Sequence, residues 1–61
     1  MIETYKVEEG YVHPSGEIIW YGGGATFYTP EDATEQAREN RKANPRNKYR
    51  VVKKTIEILD V

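Results

Sequence analysis

The sequence predicts an α+β domain of ββαβ type, a three-stranded antiparallel sheet in the order 2-1-3 with one helix packed on one face. Two observations predict it. Helix start and stop signals occur together only between Thr29 and Asn44, and the stretches on either side are rich in the β-branched and aromatic residues of strands. A Pro-Ser-Gly turn joins the first two strands as a hairpin, and the helix then returns the chain so that the last strand lies antiparallel beside the first. At 61 residues this is one domain, 1–61, and it can hide only about 60% of its unfolded surface.

Residues 2–12 place Tyr5, Val7 and Tyr11 on one face by two-residue periodicity, which predicts a long first strand. His13-Pro14-Ser15-Gly16 suits a type I turn closed by a glycine bulge. Glu17 to Tyr28 is a second strand interrupted by Gly22-Gly23-Gly24, read either as a turn into a separate short strand or as a bulge in one bent strand. Pairing Val12 with Glu17 and absorbing one residue at the glycines brings Tyr5 opposite Ala25. That gathers Tyr5, Val7, Tyr11, Ile18, Trp20 and Phe27 on one side, so the bulge is favoured.

Thr29 is placed as N-cap, Pro30 as first helical residue and Asp32 as the capping-box partner. Acidic Glu31 and Asp32 at the start and basic Arg41 and Lys42 at the end complement the helix dipole, and Asn44 before Pro45 marks the stop. Ala33 and Ala37 form a thin apolar stripe that lets the helix approach a sheet closely, so the strands must supply the bulky side chains. Tyr49 to Leu59 is the last strand. Its alternation is imperfect, with Val52, Ile56 and Ile58 assigned to the helix side and Val51, Thr55, Glu57 and Leu59 to the other. At about 3.3 Å per strand residue against 1.5 Å per helix residue, the strand ends should overhang the helix.

The chain has no cysteine and one histidine, which excludes disulfides, thiolate metal sites and any Ser-His-Asp or Cys-His arrangement. His13 reads as a turn residue, and the three glycines lack the spacing and lysine of a phosphate cradle. No catalytic residue, cofactor or metal is expected. No apolar run has membrane-spanning length and the start is not that of a signal peptide, which predicts a soluble protein of the cytoplasm. The net charge of -1 hides a division: residues 1–39 sum to minus six and residues 40–61 to plus five. Beside a merely solvated arrangement, this fits a basic edge that meets an acidic partner or a second copy of the chain.

The predicted sheet leaves one face open, with Val12, Ile19, Tyr21, Val51 and Leu59 on it and charged residues around it, as on interaction surfaces. Ile19, Tyr21, Tyr49, Arg50, Val51, Lys53 and Leu59 are therefore the candidate partner-binding residues, and a homodimer would supply stability that a small core lacks. The alternative is nucleic-acid binding by the basic 41–54 segment with exposed aromatics such as Trp20, Tyr21, Tyr28 and Tyr49. Trp20 is expected under the helix.

The segments Trp20-Tyr21-Gly22-Gly23, Thr29-Pro30-Glu31-Asp32-Ala33, Ala37 to Pro45 and Tyr49-Arg50-Val51-Val52-Lys53 resemble those of very small accessory proteins of bacteriophages and prophages. The resemblance rests on capping and packing motifs and carries over no catalytic residue. It implies a phage or mobile-element origin, the cytoplasm of a bacterial host, and a protein that inhibits a host or defence protein by binding it.

Overall fold

The computed structural model describes residues 1–60 and shows strands β1 (Ile2–Val12) and β2 (Ile18–Gly22), helix α1 (Pro30–Ala43) and strand β3 (Lys48–Ile56). They form an antiparallel sheet in the order β2-β1-β3, as expected. The helix begins as its sequence dictates: Thr29 is extended, and its Oγ1 accepts a hydrogen bond from the Asp32 amide at 3.2 Å. It ends where the Asn44 amide donates to the Asn40 carbonyl at 2.9 Å.

The turn is the one expected, but the register it sets is not. Gly16, with φ of 90°, closes a three-residue loop in which the His13 amide donates to the Glu17 carbonyl. The loop itself takes up one residue, so Val12 faces Ile18, Tyr11 faces Ile19, Gly10 faces Trp20 and Glu9 faces Tyr21. A one-residue slip turns every side chain to the opposite face. Ile18 and Trp20 accordingly lie on the open face, whereas Ile19 and Tyr21 lie on the helix side. Beyond Gly22 the glycines take up two further residues, and the chain rejoins β1 through a single bridge between Phe27 and Tyr5. Gly22–Gly24 thus form a wider break than a one-residue bulge, without a separate strand. An even insertion preserves facing, which is why Phe27 stays with Tyr5 under the helix while Trp20 does not.

The last strand is also inverted relative to expectation. Val51 faces Val7, Tyr49 faces Glu9 and Lys53 faces Tyr5, all on the helix side, whereas Val52 faces Lys6 and Ile56 faces Ile2 on the open side. Tyr49 sets this orientation, because its hydroxyl donates to the Asn44 carbonyl at 2.6 Å and holds the strand beneath the helix terminus. Val7, Ala33 and Ala37 make the core, with Tyr5, Phe27, Tyr49 and Val51 packed against it. Ala33 is wholly buried, so the short alanine side chains do set the distance from helix to sheet.

Candidate binding surface

Two surfaces follow from this layout. β1 spans roughly 36 Å at about 3.3 Å per residue and the helix roughly 21 Å at 1.5 Å per residue, so the hairpin end of the sheet projects past the helix. There Tyr11 and Tyr21 stand edge to face with centroids 5.2 Å apart and line an open depression of about 430 Å³. Ile19 lies beside them, opposite Tyr11, and all three are exposed. Glu9 sits at the foot of this group, where Asn47 donates to it at 2.7 Å. Hydrogen bonding to the Glu9 carboxylate, then its charge, raises the pKa of Tyr11; partial burial, then the same carboxylate, raises that of Tyr49.

The second surface is the sheet face without the helix. Alternation sends Lys6 and Glu8 of β1 and Lys48, Arg50 and Lys54 of β3 to this face, giving it four bases and one acid. The acid is engaged, since Arg50 Nε donates to Glu8 Oε1 at 2.6 Å. Among the described residues, Lys6, Lys48 and Lys54 have no carboxylate partner within ion-pair distance. Trp20 lies at the hairpin end of this face with the Arg50 guanidinium 4.0 Å from its ring centroid, a cation–π contact, and Val12, Ile18, Val52 and Ile56 share the face. Carboxylates from β1 gather on the other side, as Glu3 and Glu9. Charge therefore segregates by sheet face as well as along the chain.

These placements separate the seven candidate residues. Ile19 and Tyr21 come together with Tyr11 on the overhang, but on the helix side of the sheet and not on its open face. Tyr49 and Val51 are also on the helix side, taken into packing, and Lys53 there pairs with Glu3 at 3.3 Å. Arg50 alone of the strand residues is on the open face, and Leu59 lies exposed beyond the end of β3. Lys6 is not singled out by the sequence, and Trp20, Lys48 and Lys54 enter there only through the nucleic-acid alternative. One signal could have found Trp20: Gly10 interrupts a bulky strand, and a glycine there marks close approach by another group.

Comparison with protein-family models, with curated proteins and with solved structures finds no match. The functional reading therefore rests on the surface itself. Among the described residues no group of three or more His, Cys, Asp or Glu is placed to hold a metal ion, and no helix is long and apolar enough to cross a membrane.

Proposed function

We propose that this chain is a non-catalytic binding protein that lays its open, basic sheet face on an acidic protein surface. The observation that carries this reading is the placement of Lys6, Lys48, Arg50 and Lys54 on the one face that no element covers, with Trp20 at its hairpin end beneath Arg50. Along β3, Lys48, Arg50 and Lys54 fall within roughly 20 Å at about 3.3 Å per residue, a row interrupted by Val52 against which a carboxylate-bearing surface can register. Trp20 and Ile18 at the hairpin end and Val52 in the middle of β3 supply the apolar area that such a patch needs for affinity, and the bases give steering and specificity. The resemblance to phage accessory proteins supports inhibition of a bacterial host or defence protein as the consequence of docking.

A second reading, nucleic-acid binding, has in its favour that an aromatic and several bases share one face. Less favourable to it is that the Trp20 ring is already stacked by Arg50, and that no other aromatic of the strands faces that way, so a platform for successive bases is missing. Capture from a nuclease-treated bacterial lysate tests both. The expected result is a protein retained by the native chain, released by salt, and lost with Lys48→Glu/Lys54→Glu. Retention unchanged by the double reversal would remove the acidic-surface reading. Loss of all retention on nuclease treatment would transfer it to nucleic acid.

A further inference from the structure

The segment from Ile18 to Thr29 contains no charged residue, in a chain of which 31% is charged, and no proline. Its first part, β2, is an outer edge of the sheet. Edge strands of proteins that remain single are guarded by lysines, prolines or a covering loop, and β2 has neither a charge nor a proline. The opposite edge, β3, is guarded: antiparallel self-pairing about its centre at Val52 would set Arg50 against the partner's Lys54 twice, and like charges directly opposite destabilise a sheet.

Surface area points the same way. A compact monomer of 7.1 kDa exposes roughly 4,100 Å² by the usual scaling with mass. This chain exposes 4923 Å² and is drawn out to 49 × 24 × 14 Å. The excess, roughly 800 Å², matches the share that one partner contributes to a standard protein interface. Ile58 and Leu59 after β3 contribute to it, and so does the uncovered hairpin, where Tyr11, Val12, Ile18, Ile19 and Tyr21 are all exposed.

We infer that β2 pairs antiparallel with β2 of a second copy, making one six-stranded sheet across a two-fold axis. The hydrogen-bond alternation that begins with His13 and Glu17 turns Ile19 and Tyr21 toward β1 and leaves the backbone groups of Ile18, Trp20 and Gly22 facing outward. Centring the pairing on Trp20 brings those outward groups together. Ile18 then stands opposite the partner's Gly22 and Ile19 opposite the partner's Tyr21, an aliphatic–aromatic pair of the kind that stabilises sheets. Both helices fall on one side, with the exposed tyrosines in the cleft between them. The two basic faces join on the other side, although the pairing itself does not depend on what that face binds.

Light scattering with size exclusion tests this on the whole chain. The native protein is expected to show the mass of two chains. Ile19→Lys, at an exposed position outside the core, is expected to return the 7.1 kDa of one chain with an unchanged circular dichroism spectrum, while Val52→Lys on the other edge leaves the dimer intact. Because the chain has no cysteine, a mixture of Ile19→Cys and Tyr21→Cys chains gives a clean cross-linking readout, and a disulfide dimer formed faster than with Val52→Cys is expected. A one-chain mass for the native protein at every accessible concentration would overturn the pairing. So would a dimer that survives Ile19→Lys but is broken by Val52→Lys.

Discussion

Trp20 lies directly across from Gly10, and its indole occupies the space above that glycine: a Cβ built on Gly10 would stand 2.9 Å from the ring and 2.8 Å from Ile18 Cγ2. The glycine is required by this approach, because its backbone is not in the left-handed region. Gly10→Ala gains strand propensity but must lift the ring and disturb the Arg50 stack on it. Overpacking of this kind costs about 1–3 kcal/mol, and the expected outcome is net destabilisation in urea unfolding with a shift in tryptophan emission.

The hairpin turn depends on the other end of the same strand pair. Gly16 has φ of 90°, where a side chain is strained whatever the space around it. Gly16→Ala should lose about 1–2 kcal/mol. For a domain of this size that corresponds to roughly 4–8 °C in Tm per kcal/mol, readable by thermal circular dichroism.

Glu9 gives the protein an alkaline dependence. Hydrogen bonding and charge from Glu9 raise Tyr11 above its ordinary value of 10.0, and burial followed by the Glu9 charge raises Tyr49. A folded-state pKa above the unfolded one means that the neutral phenols favour folding. That contribution is complete below pH 10 and is lost as pH rises through the raised folded values. Glu9→Gln should lower both tyrosines toward the ordinary value in an ultraviolet tyrosinate titration and weaken the alkaline loss of stability.

Ala33 tests the closeness of helix and sheet. It is the one wholly buried residue of the stripe, facing a core that otherwise consists of Val7 and Ala37 with four partly buried neighbours. Ala33→Leu pushes the helix from the sheet and should cost about 1–3 kcal/mol, whereas the exposed Glu35→Leu should change stability by less than about 0.5 kcal/mol. Urea unfolding of the two variants checks the contrast.

Local signals carried most of the fold. Thr29, Pro30, Asp32 and Asn44 marked the helix because capping is a property of a few adjacent residues, and Pro14 with Gly16 marked the turn for the same reason. The strand order followed from these. What local reading could not reach was facing, since it depends on how many residues each irregularity absorbs. The turn took up one, the glycines two, and the first of these alone moved Trp20 and Ile18 to the open face. In β3 both faces carry valines and lysines, so composition could not choose between Val51 and Val52; Tyr49 beneath the helix terminus did. The same facing decides the candidate surface: of its strand residues only Arg50 lies on the open face, brought there with Val52 by the inversion of β3.

The facing of Trp20 has a direct experimental signature. Buried beneath a helix, a tryptophan cut back to alanine costs about 3–5 kcal/mol, enough to unfold a domain this small. On the open face Trp20 is only half-buried, and it rests on Gly10 and Arg50 rather than on the alanine stripe. With part of its surface still in water and no helix above it, Trp20→Ala should cost about 2–3 kcal/mol by transfer of apolar area. The variant is therefore expected to keep its helical circular dichroism signal and a cooperative urea transition at a lower midpoint. Arg50, released from the ring, retains only its pair with Glu8. A variant that arrives unfolded would return the indole to the core, and with it the register that pairs Glu9 with Trp20.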